Sequence, residues 1–343
     1  MIEATWGLIV FIIGVALFFD YTNGFHDSAN SISTVVSTKV LSPRNAVVFA
    51  AFFNFIAAFI VGVAVASTIS KIIQLEIVPT EVVPYIILGA LIGAITWNLI
   101  TWRFGLPTSS SHALIGGLMG AGVSAAGFAA IKWSAVELIV TFMIISPLIG
   151  LACGFLFMVV VLNVTKNAHK STADGYFRRL QLFSAAAYSF SHGTNDAQKT
   201  MGIITPLLFS IGYYGASVDP NHLPVPSWVI LLSYAAISLG TLSGGWRIVK
   251  TMGYKITRLR PVHGFAAETA GAATILGASA MGIPVSTTHI ISTSIMGVGT
   301  TMGASTVKWG VARSIAIAWI LTIPISALIG FVSFAVIRVI IGY

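Results

Sequence analysis

Two polar strings, each written twice, sit inside the apolar segments of this chain, where they are hardest to accommodate. Gly24-Phe25-His26-Asp27-Ser28-Ala29-Asn30-Ser31 is echoed by Gly193-Thr194-Asn195-Asp196-Ala197-Gln198-Lys199-Thr200. Gly105-Leu106-Pro107-Thr108-Ser109-Ser110-Ser111-His112 is echoed by Gly282-Ile283-Pro284-Val285-Ser286-Thr287-Thr288-His289. An ionisable group at mid-membrane costs at least ~2.5 kcal/mol on insertion scales, so it faces a protein interior or a water-filled cavity. The duplication therefore predicts two copies of one membrane unit, each contributing half of a buried polar site.

Composition sets the medium. Of 343 residues 56% are hydrophobic and 8% charged, against about 25% charged in a soluble globule. Apolar stretches reach twenty or more residues, enough to cross a hydrocarbon core of roughly 30 Å as helices, and nothing shows the alternation of a membrane barrel. The expected fold is an all-α polytopic membrane protein. The stretch from Trp6 to Phe19 lacks a basic region before it and a small-residue cleavage pattern, so it reads as a first span. Cys153 is the single cysteine, which excludes an intrachain disulfide. The net charge of +8 does not cluster on a soluble domain, so it points to membrane orientation and to no nucleic acid.

Apolar segments lie at 3–22, 43–68, 83–102, 106–130, 133–164, 183–211, 227–247, 262–281, 284–304 and 308–341. Five and five divide the chain into a first repeat, 1–165, a linker, 166–182, and a second repeat, 183–343. An odd number of crossings per half makes the second repeat inverted. Placing 166–181, with Lys166, Lys170, Arg178 and Arg179, in the cytoplasm puts Lys250, Lys255, Arg258 and Arg260 there too. The matching first-half loop, 69–82, then lies outside and carries Lys71 against Glu76 and Glu81. This asymmetry obeys the positive-inside rule and places both termini outside.

Asp27, Asp196 and Lys199 are ionisable groups at depth. For Asp196 and Lys199 the bland reading is a buried ion pair one turn apart; against it, Asp27 holds the same place in its string with no lysine. Gly24 and Gly193 predict a break in each helix just before the aspartate, freeing carbonyls beside a carboxylate for a hard cation. Broken helices or re-entrant hairpins at matching positions of two repeats mark a transporter's binding site. The oxygen ligands of Asp, Asn, Gln, Ser and Thr suit Na⁺. His26 and Glu268 are open between a hydrogen-bonding role and carrying a proton or cation.

The second string starts with proline and hydroxyl residues, the pattern of a helix N-terminus. Its free N–H groups and positive dipole end, with the hydroxyls of Thr108, Ser109, Ser110, Ser286 and Thr287, form an oxyanion site. Ordinary capping is the competing reading. Two such ends facing each other would grip a tetrahedral anion. An anion entering a site that already holds two carboxylates is repelled unless cations enter with it, so anion and Na⁺ affinities are linked.

GFHDSANS, SHGTNDAQK, GLPTSSSH and GIPVSTTH together resemble the duplicated signatures of the inorganic phosphate transporter family, over essentially the whole chain. The resemblance implies an inverted-repeat, dimeric carrier of inorganic phosphate, driven by Na⁺ or H⁺, with no cofactor. Carried over by position, it assigns Na⁺ to Asp27 and Asp196, and phosphate or Na⁺ contacts to Asn30, Asn195, Ser109, Ser110, Ser286 and Thr287. Thr108, Gln198 and Lys199 join the phosphate set. His26 departs from the family's asparagine, and Gln198 and Lys199 from its alanine and asparagine, so the two half-sites differ chemically.

The expectation is a Na⁺/phosphate symporter of the plasma membrane working by alternating access, with no enzymatic activity. Alternatives are an H⁺-coupled carrier of phosphate or metal-phosphate, a sulfate carrier, an anion channel, and an intramembrane hydrolase. The hydrolase fares poorly because each polar set appears twice, whereas catalysis needs one nucleophile and one base in defined contact.

Overall fold

The polar strings at 24–31 and 193–200 do not end their helices. In the computed structural model, which describes residues 6–60, 62–215 and 218–342, α1 (Trp6–Ser37) and α7 (Lys170–Ser210) run unbroken through them. The helices need no break to satisfy these hydroxyls, several of which bond back to carbonyls three or four residues earlier. Thr22 donates to Phe19, Ser28 to Phe25, Ser191 to Tyr188 and Thr194 to Phe190, which satisfies side chain and backbone together. The breaks expected at Gly24 and Gly193 are therefore corrected. These glycines serve close approach: a Cβ on Gly24 would overlap the Ile237 carbonyl, and one on Gly193 would lie 2.7 Å from the Asn54 carbonyl oxygen.

The remaining helices follow the same order in both halves. Behind α1 come α2 (Pro43–Ile56), α3 (Ala64–Ser70), α4 (Val83–Phe104), α5 (Ser110–Ala126) and α6 (Trp133–Thr165). Behind α7 come α8 (Ser227–Ser243), α9 (Trp246–Lys250), α10 (Pro261–Ala280), α11 (Thr287–Thr300) and α12 (Trp309–Ile341). Small features repeat as well. Pro147 lies inside α6 and Pro324 inside α12, and Lys132 N–H donates to the Ile72 carbonyl as Lys308 N–H does to Ile256, both at 2.9 Å. The chain is all-helical, and no strand occurs among the described residues beyond an isolated bridge between Ile73 and Ile131.

The interruptions that do occur lie elsewhere. Gly105 and Gly282 follow α4 and α10 in the left-handed region, at φ 66° and 70°, a conformation that glycine adopts without a Cβ penalty. Each turns the chain into a short helix of 17 residues (α5) or 14 (α11), below the ~20 needed to span. A further bend of 60° separates α8 from α9. Among the described residues, α1, α4, α6 and α12 can each cross a membrane by length and composition, and up to six spans result if the bent pairs α2 with α3 and α8 with α9 each serve as one. The start of the first expected segment, at residue 3, lies outside the described residues. Most of the expected linker is helix, since only residues 166–169 separate α6 from α7.

The halves interlock. α5 packs against α12 of the other half, and α11 against α6. Gly120 meets the Ala327 backbone and Gly297 the Leu151 backbone, the small-residue contact that drives helix association where lipid removes the hydrophobic incentive. α1 lies along α8 of the other half, while α7 lies between α10 of its own half and α2 and α3 of the other. Outward, α6 and α12 present Leu148, Leu156, Val164, Leu328, Val336 and Val339, an apolar surface suited to lipid.

Candidate functional site

Continuous helices turn each string into a stripe. Asn23, His26, Asp27 and Asn30 on α1 fall at i, i+3, i+4 and i+7, and so do His192, Asn195, Asp196 and Lys199 on α7, which places each set on one helix face. All eight side chains are 2% exposed or less. The two stripes meet. One ligand atom each from Asp27, His192 and Asp196 lies within 4.8 Å of the others.

On the α1 side, His26 Nδ1 is 2.6 Å from Asp27 Oδ1, while its Nε2 faces Thr101 Oγ1 at 3.2 Å and Thr108 Oγ1 at 3.4 Å. The carboxylate accepts, so His26 carries its proton on Nδ1. Ser110 Oγ lies 3.2 Å from Asp27 Oδ2 and closer still to Asn23 Oδ1. Asp27 is thus oriented by α1 itself and by the start of α5.

On the α7 side, Lys199 Nζ lies 2.6 Å from Asp196 Oδ1. Asp196 Oδ2 instead faces His192 Nε2 at 3.4 Å. Asn54 Nδ2 donates to Thr241 Oγ1 at 2.9 Å, which turns its carbonyl oxygen toward His192 Nδ1 at 3.3 Å. His192 therefore donates from Nδ1, and in the neutral ring its Nε2 presents a lone pair to a carboxylate lone pair. Neither atom has a hydrogen-bond partner. Two acceptors facing each other in a dry interior ask for a proton or a cation between them.

The starts of α5 and α11 converge on the same region. Ser109 Oγ accepts from His112 N–H at 3.3 Å and Ser286 Oγ from His289 N–H at 3.1 Å, so both serines cap their own helices. Capping uses one of four free N–H groups at each end and leaves the dipoles in place. The His112 and His289 rings sit 4.9 Å apart, and His289 stacks on Trp319 at 3.8 Å. Asn30 Nδ2 reaches from α1 to Thr288 Oγ1 at 2.9 Å and Thr287 Oγ1 at 3.3 Å. Tyr188 on α7 donates to the Thr287 carbonyl at 3.1 Å.

Other expected site residues are placed less centrally. Gln198 Oε1 accepts from Val65 N–H at 2.8 Å and Ala66 N–H at 3.2 Å, and its Nε2 donates to the Thr194 carbonyl. Its polar atoms are committed to the start of α3 and to its own helix. Glu268 accepts from Gln181 Nε2 at 3.0 Å and from Ser184 Oγ, a closed arrangement between α10 and α7. Asn195 Nδ2 donates to Ser279 Oγ at 2.9 Å, leaving Oδ1 unpartnered.

Two residues outside the expected set belong here. His192 stands just before its string in the sequence, but only the fold points it at Asp196. Asp20, two residues before the end of the first apolar segment, is fully buried with neither oxygen hydrogen-bonded. Its signal was periodicity, since Asp20 and Asp27 stand seven residues apart on one face of a helix that continues.

The comparisons agree in subject. A sequence profile described as "Phosphate transporter family" matches residues 23–330. A "Probable low-affinity inorganic phosphate transporter" of Rhizobium meliloti is 52% identical over 322 residues, covering 94% of either chain. One of the same description from Bacillus subtilis is 44% identical over 333 residues, covering 97% of this chain and 98% of the relative. A solved structure titled "The sodium-dependent phosphate transporter" matches at a TM-score of 0.87 and 27% identity, covering 97% of this chain and 100% of the other. The profile takes in both pairs of duplicated strings, and the relatives align nearly end to end: this chain belongs to the phosphate transporter family, an integral membrane transporter and not an enzyme.

Proposed function

We propose that the protein is a symporter that moves inorganic phosphate into the cell together with Na⁺ by alternating access. One observation carries the reading: Asp27 and Asp196, from the two halves, come together with His192 Nε2 beside the opposed starts of α5 and α11. Negative charge at the carboxylates recruits the cation. The cation and the helix ends then offset the charge of the anion, which neither carboxylate would tolerate alone. Asn30, Asn195, Ser110 and Thr287 supply polar contacts, and the Lys199 ammonium supplies a fixed positive charge. The structural neighbour's title names sodium dependence for that protein, which supports the choice of ion.

In this reading residues 1–165 and 183–343 are inverted repeats, residues 166–182 face the cytoplasm, both termini lie outside, and two copies assemble in the plasma membrane. Labelled-phosphate uptake into proteoliposomes tests the coupling. Uptake driven by an inward Na⁺ gradient and abolished by Asp27→Ala or Asp196→Ala is expected; uptake indifferent to the gradient or to both variants refutes it.

A second reading has its own observation. A proton between His192 Nε2 and Asp196 Oδ2 would satisfy both unpartnered atoms, making H⁺ the coupling ion. Replacing Na⁺ by choline at fixed pH separates the two, since only the proton-coupled carrier keeps its uptake.

A further inference from the structure

The two aspartates are not served alike. Three residues after Asp27 stands Asn30, and three residues after Asp196 stands Lys199, so at matching positions of two matching stripes a neutral amide is exchanged for a cation. The Lys199 side chain is fully buried and its Nζ closes on Asp196 Oδ1 at 2.6 Å. Only Oδ2 of Asp196 remains, turned to His192 Nε2 at 3.4 Å, in the cluster that Asp27 completes. Asp27 has no such partner: its oxygens meet a histidine nitrogen and a serine hydroxyl.

We propose that Lys199 is a tethered counter-cation that occupies the place a second coupling ion would otherwise take, so the carrier binds a single mobile cation, shared by Asp27, His192 Nε2 and Asp196 Oδ2. This rests on the cation coupling proposed above and specifies how many ions it uses. The charges follow. Of the buried aspartates, only Asp27 and Asp196 share the cluster that can hold an ion; their two carboxylates against one ammonium leave a single negative charge there, which one monovalent cation cancels before the anion enters. A site with amides at both positions would hold two uncompensated carboxylates and call for two cations. The ammonium is held at the end of a flexible stem by a fully buried partner, so its loss leaves the Asp196 carboxylate uncompensated. Coulomb attraction in so dry a place binds the lysine firmly, whereas an ion from solution must be captured anew in each cycle.

The test is the substitution that restores the first-half pattern, Lys199→Asn, followed by two readouts. In proteoliposomes, parallel ²²Na⁺ and ³²P-phosphate fluxes give the coupling ratio. One Na⁺ per phosphate is expected for the unsubstituted protein and one more for Lys199→Asn, while Lys199→Arg keeps the original ratio. In detergent without phosphate, thermal stabilisation by Na⁺ reports binding alone, and Lys199→Asn is expected to show a steeper Na⁺ dependence than the parent. Equal ratios in parent and variant, with Na⁺-driven uptake intact in both, overturn the inference and leave the proposed function standing. Phosphate uptake indifferent to Na⁺ in the parent overturns the Na⁺ coupling instead, and the binding readout then decides the role of Lys199. Folded Lys199→Asn recovered only in Na⁺ buffers supports a replaced cation; failure to fold in Na⁺ and choline alike refutes it.

Discussion

Replacing Gln198 by alanine separates a scaffold role from a substrate role at a position whose polar string suggests the second. The Gln198 side-chain oxygen accepts both Val65 N–H and Ala66 N–H, at the first turn of α3, whose own N-cap residue, Val63, offers no side-chain bond. Val65 and Ala66 are 0% and 1% exposed, so water cannot take over. Each buried donor left unpaired costs about 1–3 kcal/mol, and the two together give a loss of roughly 2–6 kcal/mol in folding free energy. A residue bonded directly to a charged anion would behave differently. Losing one such bond costs about 1.5–3 kcal/mol of binding, or roughly ten- to hundredfold in affinity at 1.4 kcal/mol per tenfold. The assay is a paired measurement on Gln198→Ala: unfolding free energy by SDS titration in mixed micelles, and the KM for phosphate in proteoliposomes. Stability is expected to fall by about 2 kcal/mol or more, with KM shifted less than about threefold. An unchanged unfolding free energy with a tenfold higher KM would refute the assignment and return Gln198 to the anion.

Other outcomes follow from the same contacts. Gly24→Val is expected to lose folded yield in fluorescence-detected size exclusion, because its side chain must displace the Ile237 backbone, whereas Gly14→Val, which meets nothing within 4 Å, folds normally. Lys199→Met in choline buffer strands Asp196 and is expected to cost about 3–5 kcal/mol, while Asp196→Asn with Lys199→Met costs much less, a difference read by a double-mutant cycle in SDS unfolding. Asp20→Asn is expected to raise thermal stability, because it removes a buried carboxylate with no donor, and to lower phosphate uptake; a variant less stable than the parent contradicts this.

What could be read along the chain was membrane character, duplication and residue chemistry. The low charge and long apolar runs dictate helices in a bilayer, since the backbone there must satisfy its own hydrogen bonds. The duplicated strings singled out Asp27, Asp196, Ser110 and Thr287, because ionisable and hydroxyl groups at depth need a partner wherever they occur. The Pro-Ser/Thr pattern named the starts of α5 and α11, since proline and a hydroxyl cap carry a local geometric preference. Tertiary structure alone decided the rest. Glycine before each aspartate is compatible with a broken helix or with a close crossing, and only the Ile237 and Asn54 backbones show which applies. Gln198 and Glu268 are both polar groups within apolar segments, yet one caps α3 and the other closes on Gln181 and Ser184. Local sequence sets what a side chain can bind; which distant partner it reaches depends on helices that meet only across long stretches of intervening chain, 133 residues for Gln198 and Val65 and 87 for Glu268 and Gln181.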